Sequence, residues 1–411
     1  MTRCLVFCTF VTVLLSLAPA RGENWPMWRG PRGDGSSREK NLPTHWDGPK
    51  GENIAWKTPL PGTGHASPIV WNDRLFTVTC REDRQERALL CLSAADGAVL
   101  WERAVLTAPL EKKNRLNSYA SSTPATDGRL VYVSFLDRDQ MLVAAYDFDG
   151  NRRWLVRPGP FASVHGYCSP PVLFEDLVIV NGDHDGDAYL VALHRDDGRV
   201  IWKTPRENKT RSYCPPIIRE LAGRTQLILS GSKCVASYDP RTGRRHWIID
   251  GPTEQFVASM VENGELLFLT AGFPEHHILA IRPDGTGNVT GTHVVWRTTK
   301  GCSYVPSPIV SPDGRFFLVV SDEGIASCFE AATGKRHWME RVGPHYSASL
   351  VSVDGLIHFL SDEGVTKIVR PGEKFDLVSE NRLGERCYAS PAIGGGRIYI
   401  RGEKNLYAIG K

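Results

Sequence analysis

The chain has 411 residues, including 39 glycines and 27 prolines, and its formal net charge is +3. Frequent Gly and Pro, together with the lack of long runs rich in Ala, Leu, Glu and Lys, favour many short strands over helices. The small charge provides no basic field of the size that nucleic-acid binding requires, so we expect no nucleic-acid partner.

The first twenty residues have the pattern of a signal peptide. Arg3 precedes an apolar run over 4–17, and Ala18 and Ala20 are small residues of the kind that a signal peptidase reads. A membrane anchor is the weaker alternative, because the run is shorter than the roughly 20 apolar residues that span a bilayer. We therefore predict cleavage after residue 20 and export to the periplasm or the cell exterior. The mature chain is expected to have no transmembrane segment.

After a lead segment over 21–52, one unit recurs from residue 53 to the end of the chain. A tryptophan closes the unit about every 45 to 50 residues, which is the length of a four-stranded propeller blade. The seven closing residues are Trp56, Trp101, Trp154, Trp202, Trp247, Trp296 and Trp338. Eight openings carry Ser-Pro or a variant of it, at Ser67, Ser122, Ser169, Cys214, Ser259, Ser307, Ser349 and Ser390. The pattern predicts an all-β, eight-bladed propeller.

The last repeat lacks an outer strand, and the segment before the first repeat has the pattern of one. The last unit stops at 406–409 before any outer tryptophan strand, whereas Trp56 lies in an apolar strand pattern that precedes the first opening. We predict that residues 53–57 form the missing outer strand of the last blade. This pairing would close the ring and leave no open radial edge.

Three blade ends resemble the tryptophan-docking repeat of quinoprotein propellers. They are AATGKRHW at 331–338, YDPRTGRRHW at 238–247 and LSAADGAVLW at 92–101. The lead motif NWPMWRGP at 24–31 is similar to that of exported bacterial proteins with PQQ-binding-like repeats. The resemblance covers roughly residues 53–411. Its family includes quinoprotein alcohol dehydrogenases and the non-catalytic propeller of the outer-membrane assembly machinery, and it implies that the tryptophans dock neighbouring blades.

For an enzyme, the resemblance implies a flat stacking floor, a calcium ion held by Glu, Asn and Asp, a catalytic Asp and a disulfide between adjacent cysteines. This sequence contains no adjacent cysteine pair and no Cys-x-x-Cys-His haem motif. We expect no catalytic residue, no metal site and no cofactor. A PQQ-dependent quinoprotein dehydrogenase of reduced size, with PQQ and calcium, is the alternative.

Three short acidic segments lie between predicted strands. In residues 183–187, DHDGD, carboxylates occur at alternating positions, as they do in a calcium loop. The glycine comes two positions too early, however, and the twelfth position, where a calcium loop has Glu, is His194. We predict a solvated hairpin turn there. The segments SDEG at 321–324 and 361–364 are predicted to be turns as well.

A ring of aromatic and basic residues precedes the opening strands. Because the opening strand of a propeller blade is innermost, these residues should surround one mouth of the central channel. The candidate ligand-binding residues are His65, Tyr119, Tyr167, Tyr213, Tyr304, Tyr346, Tyr388, Arg211 and Arg386, with His165 and His345 nearby. Aromatic faces and cationic donors suit a ligand or peptide. The alternative is that each tyrosine caps the inner packing of its blade.

Eight cysteines remain after signal cleavage, and export permits disulfides among them. Cys168 and Cys214 occupy equivalent places in neighbouring blades, so they are the candidate pair; buried free thiols are the alternative.

We predict an exported, monomeric, non-catalytic binding or scaffolding propeller that holds a protein or a small-molecule ligand at the channel mouth. A subunit that docks on a membrane machine through one propeller face is a third hypothesis.

Overall fold

The structure is a computed structural model that describes residues 22–411, so the signal peptide predicted over 1–20 lies outside the described residues. The described chain forms eight separate sheets and one short 3-10 turn, at Glu82–Arg84. Two strands precede the first blade, β1 (Ser36–Ser37) and β2 (Ile54–Pro59). No helix in this range is long and apolar enough to cross a membrane.

The first four blades follow in chain order, each an antiparallel sheet. Blade 1 contains β3 (Ile69–Trp71), β4 (Arg74–Arg81), β5 (Glu86–Ser93) and β6 (Val99–Thr107). Blade 2 contains β7 (Ala125–Thr126), β8 (Leu130–Asp137), β9 (Gln140–Asp147) and β10 (Arg152–Pro160). Blade 3 contains β11 (Val172–Phe174), β12 (Leu177–Gly182), β13 (Tyr189–His194) and β14 (Val200–Pro205). Blade 4 contains β15 (Ile217–Leu221), β16 (Arg224–Gly231), β17 (Cys234–Tyr238) and β18 (Arg245–Asp250).

The remaining blades repeat this arrangement. Blade 5 contains β19 (Val261–Glu262), β20 (Leu267–Ala271), β21 (His277–Ile281) and β23 (Val294–Thr298), while β22 (Gly287–Asn288) pairs with β18 of blade 4. Blade 6 contains β24 (Ile309–Val310), β25 (Phe316–Val320), β26 (Ile325–Glu330) and β27 (Arg336–Arg341). Blade 7 contains β28 (Val351–Val353), β29 (Leu356–Leu360), β30 (Val365–Arg370) and β31 (Asp376–Arg382). Blade 8 contains β32 (Ala392–Gly394), β33 (Arg397–Arg401) and β34 (Asn405–Ile409), with β2 as its fourth strand.

The predicted eight-bladed propeller and its closure by the N-terminal strand are both confirmed. Strand β2 pairs antiparallel with β34, with Ile54 opposite Ile409 and Trp56 opposite Ala408. The sheet order β2-β34-β33-β32 makes β2 the outer strand of blade 8. The ring therefore closes by joining the two ends of the repeat region within one sheet.

Tryptophans on the outer strands join neighbouring blades. The indole N–H of six of the seven predicted tryptophans donates to a backbone carbonyl of the next blade, as Trp56 does to Ala94 at 3.1 Å. The other five pairs are Trp101 with Phe148, Trp154 with Arg195, Trp202 with Pro240, Trp296 with Ala331 and Trp338 with Gly372. Gly97 lies on the face of Trp56 at φ 75°, where a Cβ atom would come within 2.6 Å of the ring. Trp247 differs, because its N–H donates to Gln226 of its own blade.

A belt of serine side chains holds the inner strands together. The backbone N–H of Ser259 donates to Ser307 Oγ (2.9 Å), that of Ser307 to Ser349 Oγ (3.0 Å), and that of Ser349 to Ser390 Oγ (2.9 Å). The Ser67 N–H donates to Thr123 Oγ1 in the same way. Each of these hydroxyls thus satisfies a buried N–H on the neighbouring blade, which explains the serines at the openings of blades 6, 7 and 8.

The lead segment closes one end of the channel. Trp28 donates its indole N–H to Ser259 Oγ of blade 5 (2.9 Å), and Trp25 pairs through its backbone with Val70 of blade 1. The buried Arg29 guanidinium donates to the carbonyl oxygens of Pro308 (2.7 Å) and Leu350 (3.3 Å), and burial lowers its pKa to about 10. The segment therefore contacts blades on opposite sides of the ring, at the end towards which the inner strands run.

Candidate functional site

The other end of the channel opens into a cavity of about 580 Å³. Five predicted residues line it: His65, Arg211, Tyr213, Tyr304 and Tyr388. His165 and His345, noted nearby in the sequence, line it as well. A smaller cavity of about 100 Å³ continues along the axis from Tyr213 and Tyr388 to Trp28. The site is thus a cup whose floor is the lead segment.

Four other predicted residues do not line the cup. Tyr167 and Tyr346 are buried, and the Tyr346 hydroxyl donates to the Val342 carbonyl oxygen (3.1 Å). Tyr119 lies beside Lys113 and Arg87, and Arg386 lies over the ring of Tyr388 at 5.6 Å. The number of residues between each of these side chains and the Ser-Pro opening of its blade varies. Because a shift of one position along extended backbone turns a side chain to the opposite face, residues at similar positions do not all face the channel.

Ring pairs build the wall of the cup. The rings of His65 and Tyr388 lie 4.5 Å apart at 36°, and those of His165 and Tyr213 lie 6.3 Å apart, edge to face. Tyr213 Oη is 2.6 Å from Ser163 Oγ, and the Tyr304 hydroxyl donates to Gln255 Oε1 at 3.2 Å. These contacts fix the aromatic faces before any ligand arrives.

Charge within the cup is largely neutralised. Arg211 Nη1 lies 2.7 Å from Asp185 Oδ2, so the guanidinium has a carboxylate partner. Burial, followed by the charges of Arg401 and Lys113, lowers the pKa of His65 to about 4. Burial and Arg211 also lower the pKa of His165. At neutral pH these two rings are uncharged.

One carboxylate in the cup lining and one beside it come from segments that the sequence predicts only as turns. The turn at 321–324 places Asp322 in the lining, where its oxygens accept the N–H groups of Tyr304 (2.8 Å) and Val305 (3.1 Å); burial raises its pKa. The equivalent Asp362 is buried and lies 2.5 Å from His345 Nδ1. The SDEG segment that recurs in consecutive blades, at 321–324 and 361–364, is the sequence signal by which these residues could have been found.

The prediction of a solvated turn at 183–187 is wrong for its first two residues. Asp183 and His184 are buried. Asp183 accepts hydrogen bonds from Arg206 Nε (2.8 Å) and Nη2 (3.1 Å), and Arg206 Nη2 also donates to the Gly231 carbonyl oxygen of blade 4. Asp185 and Asp187 are exposed, as a turn requires. The segment joins two blades rather than holding a cation.

The cysteines of the described residues are all free thiols, so the proposed disulfide between Cys168 and Cys214 is not formed in the structure. The Cys214 thiol donates instead to the Ala258 carbonyl oxygen of the next blade (3.0 Å). Burial raises the pKa of both Cys168 and Cys214 to about 12.

Alkylation gives a direct test of this thiol state. Seven of the eight thiols are buried, and burial raises the pKa of Cys214 and of the partly exposed Cys168; because the thiolate is the reactive form, we expect the native protein to react slowly with iodoacetamide. In denaturant without reductant, mass spectrometry should show all eight cysteines of residues 22–411 labelled. A product that lacks two labels until a reductant is added would establish a disulfide.

Comparison with known proteins places the chain in a family. Residues 88–340 match the family described as outer membrane protein assembly factor BamB. The chain belongs to this family. Its repeat is therefore the PQQ-like propeller repeat that the sequence motifs indicated. A comparison with curated proteins finds no match.

Solved structures share the propeller fold at low sequence identity. BamB from Moraxella catarrhalis has a TM-score of 0.59 at 13% identity, covering 86% of this chain and 98% of that one. A europium-containing methanol dehydrogenase has a TM-score of 0.63 at 12% identity, covering 93% and 90%. Quinohemoprotein alcohol dehydrogenase from Comamonas testosteroni has a TM-score of 0.56 at 14% identity, covering 94% and 81%. These likenesses show the fold alone.

The lining of the cup can be compared with the quinone and calcium site that the resemblance implies for an enzyme. Asp322 is the one carboxylate residue among the lining residues that the structure describes, and no tryptophan lines the cup at the mouth. Within residues 22–411, no group of three or more His, Cys, Asp or Glu side chains could hold a metal ion. Cys168 lines the cup without an adjacent cysteine. The lining suits recognition by aromatic faces and hydrogen bonds instead.

Proposed function

We propose that the protein is an exported, non-catalytic binding propeller that holds its ligand in the cup at the channel mouth. The observation that carries the proposal is the convergence of His65, Tyr213, Tyr304 and Tyr388 on one cavity whose opposite end is closed by Trp28. A cavity of about 580 Å³ lies within the usual range for small-ligand sites.

Export is part of the proposal. It rests on the signal-peptide pattern of residues 1–20 and on membership of a family described as an outer membrane protein assembly factor. A protein partner could use the same mouth, since Leu116 and Phe273 expose large apolar side chains at its rim. The closed floor favours a ligand that enters and leaves through one opening.

The test measures thermal midpoints of the purified protein against a set of small polar compounds, with a cup-filling variant as control. A ligand present at about 100 times its Kd should stabilise the native protein by roughly 2.7 kcal/mol. Val257 lines the cup, so Val257→Trp should remove the response by occupying the space. An equal response in the variant would contradict binding at the mouth.

The dehydrogenase alternative is tested in the same preparation. We expect PQQ with calcium to leave the thermal midpoint unchanged and to support no reduction of an artificial dye by an alcohol. Dye reduction that depends on PQQ, calcium and the alcohol would overturn the non-catalytic proposal and establish the reduced-size dehydrogenase.

A further inference from the structure

A histidine in the cup is held in one orientation by a buried carboxylate. His345 Nδ1 lies 2.5 Å from Asp362 Oδ2, and the backbone N–H of Ser347 donates to Asp362 Oδ1 at 2.7 Å. The Ser347 hydroxyl donates to the same carboxylate (3.1 Å). Because Asp362 accepts at Nδ1, a proton lies on that nitrogen, and Nε2 is the ring nitrogen left for a ligand. His345 lines the cup, so Nε2 is available to hydrogen-bond a ligand hydroxyl.

Other planar polar groups around the cup have unused hydrogen-bonding capacity. Gln255 is buried and uses Oε1 to accept the Tyr304 hydroxyl, while its Nε2 makes no hydrogen bond to any described residue. Each Asp322 oxygen accepts one backbone N–H and retains a second lone pair. A ligand is therefore offered both donors and acceptors, which is what a set of hydroxyl groups requires.

Aromatic faces complement these polar edges. Tyr304 and Tyr388 line the same cavity as Gln255 and His345, with the Tyr388 ring held between His65 and Arg386. A flat ring with C–H groups on its faces and hydroxyls on its rim fits between such surfaces. Purely apolar ligands would leave the Gln255 amide and the Asp322 carboxyl without partners, which is costly once water is displaced.

Charge excludes ionic ligands from the same site. The one lining guanidinium, Arg211, already faces Asp185 at 2.7 Å, and burial favours the neutral form of His65. A ligand carboxylate or phosphate would have to compete with Asp185, and a ligand cation would find only the partly satisfied Asp322. A charged ligand brought into the cup would lose hydration without gaining a free counter-charge.

We propose that the cup binds an uncharged, hydroxyl-rich ring, the chemistry of a neutral oligosaccharide, with one ligand hydroxyl hydrogen-bonded to His345 Nε2. This inference rests on the proposed function, because it names the ligand class of the same cup. The ligand ring packs against Tyr304 and Tyr388, Gln255 and Asp322 bond its other hydroxyls, and Trp28 lies at the floor beneath it.

The experiment uses neutral trisaccharides as probes: cellotriose, maltotriose, xylotriose and chitotriose, each titrated into the full mature protein by calorimetry. We expect at least one to bind. His345→Gln and Tyr388→Ala should each weaken that binding tenfold or more. His293→Gln is the matched control, because His293 also faces an aspartate, Asp284 at 3.2 Å, but lies on blade 5 outside the cup. It should leave the affinity unchanged.

Further probes separate this inference from the proposed function. Trigalacturonate, PQQ and a pool of neutral tripeptides are titrated in parallel. If tripeptides or trigalacturonate bind and Tyr388→Ala weakens them while no neutral sugar binds, the binding function stands and the sugar inference is overturned. If no probe binds, both are overturned. A trisaccharide whose affinity is the same in His345→Gln as in His293→Gln would overturn the role of His345.

Discussion

A chain that begins at residue 60 is expected to unfold at a clearly lower urea concentration than a chain that begins at residue 53. The shorter chain lacks β2, so the backbone of β34 loses its partner and Trp56 no longer docks on blade 1. Removal of one buried tryptophan side chain alone costs about 3–5 kcal/mol. We therefore expect a difference of at least about 3 kcal/mol between the two truncations, measured by equilibrium urea unfolding.

Using the chain from residue 53 as the reference separates ring closure from loss of the lead segment, because both truncations lack that segment. Blades 8 and 1 remain connected in both, through Arg397 to the Ala94 carbonyl oxygen and Arg401 to that of Val78. The shorter chain should consequently stay folded in the absence of urea. Equal urea midpoints would show that β2 does not hold the ring together.

The repeat made the fold predictable. Tryptophan spacing reports the blade length, and the recurrent Ser-Pro openings report the number of inner strands; the hydroxyls of Ser307, Ser349 and Ser390 bond to the preceding blade. The incomplete last unit then required a strand from elsewhere, and Trp56 supplied it. The position of the lead segment was not predictable in this way. The lead motif that contains Trp28 and Arg29 is not repeated in the blades, and the residues that they contact lie on blades far away in the sequence.

The candidate site was predictable in place but not in detail. Residues before the inner strands do surround the mouth. However, Tyr213 lines the cup whereas Tyr346, at nearly the same position in its repeat, is buried away from it. That choice depends on the local path of each loop, which composition and spacing do not report. Asp322 was missed for a related reason: a turn sequence normally indicates exposure, whereas here the carboxylate turns inward to bond two N–H groups.

The second large effect is expected for Asp183→Asn. Asp183 and Arg206 are both buried, and their ion pair links the end of blade 3 to blade 4 through the Gly231 carbonyl oxygen and the Tyr238 hydroxyl. The amide keeps the size of the carboxylate but removes its charge, which leaves the guanidinium buried without a counter-ion. Breaking a buried pair in this way costs about 3–5 kcal/mol. Urea unfolding of the variant should show this loss.

Asp187→Asn is the matched control, since it makes the same substitution four positions later. Asp187 pairs with Lys209 at 2.8 Å, but both side chains are exposed, and solvent screens their attraction. This variant should unfold at the same urea concentration as the unmodified protein. If the two variants shared one midpoint, Asp183 would behave as the solvated turn residue that its sequence suggests, and the buried ion pair would contribute nothing to holding blades 3 and 4 together.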